Sequence, residues 1–96
     1  MEIPKPERII LEEINKPFEE LIQEKRDILF PKLLEIIRYC EKNKTDGVPF
    51  LEIETGEEIL IFNVEKPYDL QINNTLEYYE EMEEYEICKE LKSYLD

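Results

Sequence analysis

The chain has no histidine and no tryptophan, only two glycines and two cysteines, and a single serine at Ser93. Each shortage removes a class of chemistry. Without histidine, and with its only serine close to the last residue, the chain cannot assemble the usual nucleophile activated by a neighbouring base. Gly47 and Gly56 both stand in turn sequences, so no glycine-rich loop is left to cradle a phosphate or a dinucleotide. Cys40 and Cys88 form no CxxC pair, and a zinc site would have to be completed by carboxylates alone, an uncommon donor set. The two cysteines therefore read as buried thiols of a reducing compartment, with a disulfide or redox pair as the alternative. Long apolar runs are missing too. Ile9–Leu11, Ile28–Phe30 and Ile59–Phe62 are far too short to cross a bilayer, and no stretch has the pattern of a signal peptide. The expectation is a cytoplasmic protein that uses no membrane.

Positive charge is the other scarce commodity. Twelve basic residues face 25 acidic ones, a net charge of −13, and the imbalance is local. Residues 1–47 carry 11 acidic and 9 basic side chains, whereas residues 48–96 carry 14 acidic and 3 basic. A negative field over the C-terminal half repels phosphate backbones and anionic lipid, and it steers basic protein surfaces inward. Direct nucleic-acid binding is thereby disfavoured, and a basic protein partner, including a nucleic-acid-binding enzyme, is favoured. Hydrophobic residues make up 42% of the chain and ten side chains are Phe or Tyr, enough apolar surface to offset the ordering entropy of a single domain spanning residues 1–96.

Taken in order, residues 1–6 hold Pro4 and Pro6 around Lys5 and read as an extended arm. Residues 7–44 read as helical, with Ile10, Ile14, Phe18, Leu21 and Ile22 at spacings of three and four. Arg8–Glu13 as a short strand is the competing reading. Pro17 predicts a break at Lys16, and Pro31 poses the same question before the secure set Leu33, Ile36, Ile37 and Cys40. Asp46–Gly47 supplies a turn. The period then switches to two. Phe50–Val64 reads as a hairpin turning at Thr55–Gly56, with Glu54 opposite Glu57 and an apolar face of Leu51, Ile53, Leu60, Phe62 and Val64. The other face mixes Glu52 and Glu54 with Phe50, Ile59 and Ile61, and is therefore partly covered or adhesive. Tyr68, Leu70 and Ile72 alternate with polar residues and predict a third strand, so that residues 48–73 form a three-stranded antiparallel meander in an α+β domain.

Residues 75–95 read as one long acidic helix, capped by Asn74 with Glu77 three residues on, and with Lys89 and Lys92 toward its C-terminal end. At about 100° per residue, Leu76, Ile87 and Tyr94 share one face while Tyr78, Met82 and Tyr85 share the opposite one. A straight helix buries one face. Either the second set serves a partner or a second copy, or the helix bends and both sets are core.

The acidic residues offer many carboxylate pairs, but acid–base catalysis needs a walled cleft that separates their pKa values, and exposed helix positions provide none. An enzyme is not expected. Glu77 with Glu81, and Glu80 with Glu84, stand one turn apart, yet no EF-hand loop and no Glu-x-x-His pair accompanies them, so neither a metal nor another cofactor is expected. The candidate partner-binding residues are Glu77, Tyr78, Glu80, Glu81, Met82, Glu84 and Tyr85, in which aromatic anchors sit among steering carboxylates. The competing readings are a solvated acidic face and a homodimer made through the same helix. In its composition, a short acidic chain with a Glu/Tyr-rich helix beside a small sheet, the sequence is similar to inhibitor proteins of phages and mobile elements. That group includes nucleic-acid mimics and some anti-CRISPR proteins, and toxin-neutralising immunity proteins share the look. The resemblance implies an inhibitor or regulator that occupies a basic groove.

Overall fold

The element around which the rest assembles is a long central helix, Arg26–Asn43, labelled α2 because a short helix precedes it. Leu29, Leu33, Leu34, Ile36, Ile37 and Cys40 recur at helical spacing, and all six are buried. In a computed structural model that describes residues 3–10 and 18–95, this helix packs against a three-stranded sheet and a C-terminal helical pair. Pro31 lies inside the helix without ending it. It is the sixth residue of the helix and stands on the exposed side, where the Asp27 carbonyl that it leaves without an N–H partner can turn to water. Helix α1, Phe18–Glu24, precedes it across the single residue Lys25. The expected break at Lys16 and Pro17 lies outside the described residues, as does Ile14.

Helix α2 ends at Lys44, which takes the left-handed conformation at φ 51° and whose N–H bonds back to the Cys40 carbonyl. Gly47, at φ 75°, completes the turn and donates to the Val64 carbonyl at 2.7 Å. A left-handed residue with a Cβ carries a steric cost of about 1 kcal/mol that glycine avoids. Lys44→Gly is accordingly expected to raise stability by roughly 0.5–1 kcal/mol, read as a higher urea midpoint with unchanged slope.

The sheet runs β1 (Glu7–Ile10), β2 (Val48–Glu54) and β3 (Ile59–Val64) in that spatial order. β2 and β3 are the expected hairpin, but its register differs. Ile53 lies opposite Leu60 and Glu54 opposite Ile59, with an irregularity between Pro49 and Leu51. The loop is Thr55–Glu58, closed by the Thr55 N–H to the Glu58 carbonyl at 2.8 Å, and the Thr55 hydroxyl accepts from the Glu58 N–H at 3.1 Å. A shift of two residues preserves the alternation, so Leu51, Ile53 and Val64 are buried as expected; Leu60 on the same face is 41% exposed, and Phe50, expected on the other face, packs against the core at the irregularity.

Three expectations require correction. The third strand is β1, not residues 68–73, and it pairs parallel to β2, with Ile9 beside Ile53; the sheet is mixed and not an antiparallel meander. The N-terminal region is therefore not helical throughout. Residues 68–73 belong instead to the start of helix α3, Asp69–Glu81. Tyr68, Ile72, Leu76 and Tyr79 form a buried stripe at helical spacing, while Leu70, the residue that made the pattern look alternating, is exposed. Asn74 accordingly lies within this helix and caps nothing. The long C-terminal helix is two helices, α3 and α4 (Tyr85–Ser93), separated at Met82–Glu84, where Glu83 has φ 59°. The turn is held by Glu83 N–H to the Glu80 carbonyl at 3.1 Å and Glu84 N–H to the Tyr79 carbonyl at 3.0 Å.

That turn resolves the conflict between the two apolar faces. Tyr78 and Tyr79 from α3, and Cys88 and Leu91 from α4, all enter the same core with Ile36, Ile37 and Cys40. A separate cluster of Ile9, Leu21, Leu29, Leu51 and Ile53 joins the sheet to α1 and α2. Cys40 and Cys88 are both buried and unbridged, and burial pushes the Cys40 thiol upward. No helix among the described residues is long and apolar enough to cross a membrane.

Candidate docking surface

Helix α3 carries Glu77, Glu80 and Glu81 to the surface, and the turn and first residues of α4 add Met82, Glu83, Glu84, Tyr85 and Glu86; all eight are exposed. They form an acidic corner with two large apolar side chains on it, Met82 at 56% exposure and Tyr85 at 68%.

The third member of the expected strip is placed elsewhere. Tyr78 is only 5% exposed and turns into the body. Its ring stacks on Phe30 at 4.7 Å between centroids and meets Tyr79 edge-on at 4.9 Å. The Arg26 guanidinium lies 5.1 Å from the ring centroid. The Tyr78 hydroxyl donates to Asp27 Oδ1 at 2.8 Å. Burial first, and this bond second, push the phenol up to about 12. Tyr78 therefore builds the base of the corner and presents no surface to a partner.

The carboxylates also divide. Glu81 receives Arg26 Nη2 at 2.6 Å. Glu90, one of the helix glutamates, is gripped by Arg38 through two bonds of 2.8 and 2.7 Å and also accepts the Tyr94 hydroxyl. The Arg38 bonds hold the Glu90 carboxyl below its ordinary range. These two arginines project from α2 and strap α3 and α4 onto it. Glu77, Glu80, Glu83, Glu84 and Glu86 make no ion pair among the described residues.

Of the seven candidate residues, Glu77, Glu80, Met82, Glu84 and Tyr85 are exposed, Glu81 pairs with Arg26, and Tyr78 is buried. The contributions of Arg26, Asp27 and Arg38 were not visible in the sequence, because their partners lie more than fifty residues away along the chain. Among the described residues no group of three or more Asp, Glu or Cys side chains is placed to hold a metal ion.

No protein-family model, no curated protein and no solved structure matches this chain.

Proposed function

We propose that this chain is a non-enzymatic acidic binding protein that inhibits or regulates a basic partner by docking its α3–α4 corner on it, a nucleic-acid-binding groove being the surface that fits best. The observation that carries this reading is the pairing of Met82 and Tyr85, both largely exposed, with five glutamates that make no ion pair among the described residues. Exposed helix carboxylates about 5–6 Å apart resemble the spaced charges such a groove receives, and they raise the encounter rate with a basic surface. The thioether and phenol then supply desolvated contact at the centre, where binding energy concentrates. A homodimer through the same strip is less well supported, because Tyr78 faces inward and two copies would oppose identical carboxylates.

The test compares the wild type with Glu80→Lys/Glu84→Lys and with Met82→Ser/Tyr85→Ser. All four side chains are exposed, so stability is expected to change by no more than about 0.5 kcal/mol per site. Capture from lysate at low and at high salt is expected to retain a basic nucleic-acid-binding protein whose nucleic acid is displaced. The charge reversal is expected to weaken retention by about tenfold or more and to flatten its salt dependence. Equal retention by all three proteins would remove the reading.

A further inference from the structure

We infer that the outer edge of β3 at Ile59–Ile61 is a second docking surface, one that accepts an extended segment of alternating apolar and basic residues from a partner protein as a fourth strand of the sheet. This inference stands on the sheet and is independent of the α3–α4 corner.

An outer strand leaves a row of backbone donors and acceptors unpaired, and proteins ordinarily blunt such edges with prolines, charges or bulges. The β1 edge is blunted in this way: the strand has four residues, follows Pro4 and Pro6, and includes Glu7 and Arg8. The β3 edge is not. Ile59–Val64 contains no charge and no proline, and the one irregularity of the hairpin lies between Pro49 and Leu51 of β2. Its first three residues are exposed in succession, Ile59 at 48%, Leu60 at 41% and Ile61 at 56%. Helix α3 borders only the other half, where Gln71 Nε2 donates to the Asn63 carbonyl at 3.0 Å. An uncharged half-strand of β-branched and aliphatic residues, left uncovered by the described residues, is suited to main-chain pairing with another strand.

The charge around this edge selects the occupant. Helices α1 and α2 pack on the sheet face that carries Ile9, Leu51 and Ile53. By register the opposite face holds two rows, Arg8–Glu52–Ile61 and Ile10–Glu54–Ile59, with Glu57 and Glu58 in the adjoining loop. Arg8 pairs with Glu54 at 3.3 Å, while Glu52, Glu57 and Glu58 make no ion pair among the described residues. A strand laid along β3 with lysines or arginines on this face rests their aliphatic stems on Ile59 and Ile61 and directs their charges toward those carboxylates. Its alternate apolar residues continue the other face beside Leu60. A second copy of this chain fits poorly. Antiparallel self-pairing brings Glu57 and Glu58 of one copy toward Glu65 of the other, and adds the repulsion of two chains that each carry −13.

The probe is a short synthetic peptide of alternating valine and lysine, titrated into the full chain by fluorescence anisotropy with amide shifts followed by NMR. Binding is expected to strengthen at low salt, with shifts centred on Ile59–Ile61. Ile59→Lys/Ile61→Lys is expected to weaken it by about tenfold or more, while Glu80→Lys/Glu84→Lys leaves most of it in place. A version N-methylated at alternate residues, made in both phases, is expected to lose binding in one phase, because it cannot pair along the edge. The inference is overturned by any of four results: no binding of the lysine peptide, equal binding of a valine–glutamate peptide, indifference to N-methylation in both phases, or a loss that follows the α3–α4 reversal instead of the β3 one. Sedimentation showing a wild-type dimer that Ile59→Lys/Ile61→Lys dissociates would also overturn it, by assigning the edge to a second copy.

Discussion

Replacing Tyr78 by alanine is expected to destabilise the protein by about 3–5 kcal/mol, the cost typical of deleting a large buried aromatic side chain. The deletion empties the space between Phe30 and Tyr79, both packed on the ring at under 5 Å between centroids. It also removes the surface over which the Arg26 guanidinium lies. Tyr78→Phe is expected to cost only about 1 kcal/mol, since the ring contacts survive and Asp27, an exposed residue, recovers a hydrogen bond from water. Tyr85→Ala, at a position with the same side chain in the same acidic stretch, is expected to stay within about 0.5 kcal/mol of the wild type. Urea unfolding followed by circular dichroism separates the three. Near-equal midpoints for Tyr78→Ala and Tyr85→Ala would mean that Tyr78 is not packed as described, and the division of the glutamate–tyrosine stretch into base and surface would fail with it.

That division shows where the sequence could be read and where it could not. Periodicity found what local pattern alone decides: the apolar stripe of Leu33, Ile36, Ile37 and Cys40, and the inward face of the β2–β3 hairpin, which is insensitive to a register error of two. It failed where a few residues satisfy two periods at once. Tyr68, Leu70 and Ile72 alternate over five positions, but Tyr68, Ile72 and Leu76 are equally spaced by a helical four, and the tertiary environment chose the second pattern. β1 was nearly invisible for a different reason. Four residues hold as a strand only because β2, more than forty residues later, pairs with them. The break at Met82–Glu84 carries no glycine or proline. Glu83 takes a left-handed conformation there, and the burial of Tyr79 on one side and Leu91 on the other stabilises the turn. The sequence did carry a trace of that break, in apolar residues set on opposite sides of a helix that could bury only one of them. Because the axis changes direction after Glu81, a helical wheel drawn through the whole stretch placed Tyr78 with Met82 and Tyr85, and the structure separates them.

The same tyrosines give the protein an alkaline limit to its stability. Tyr68 donates to Glu41 Oε1 at 2.6 Å, Tyr78 to Asp27 Oδ1 at 2.8 Å, and Tyr94 to the Glu90 carboxylate. Each hydroxyl is thus partly or wholly buried against an acidic group, so ionisation would place a phenolate beside a carboxylate. Burial is the larger cause and the carboxylate bond the second. Together they raise all three groups, Tyr78 and Tyr94 to about 12, with Tyr68 shifted in the same direction. In the unfolded chain a tyrosine ionises near pH 10. Below that pH both states keep their protons and the stabilisation is fully present. Above it the unfolded state releases protons first, so it binds fewer than the native state and stability falls with rising pH, through the folded value of each group. The slope is up to about 1.4 kcal/mol per pH unit for each tyrosine that stays protonated only in the folded state, and three acting together can exhaust the stability of a small domain. The expected result is a cooperative loss of far-UV ellipticity between pH 10 and 12 that coincides with a step in tyrosinate absorbance. Tyr78→Phe/Tyr94→Phe is expected to make the dependence on pH shallower, although it removes two hydrogen bonds at neutral pH. Tyrosinate absorbance that instead rises smoothly around pH 10 in a chain that keeps its ellipticity would show that these hydroxyls are open to solvent, contrary to the packing of α3 and α4 against α2.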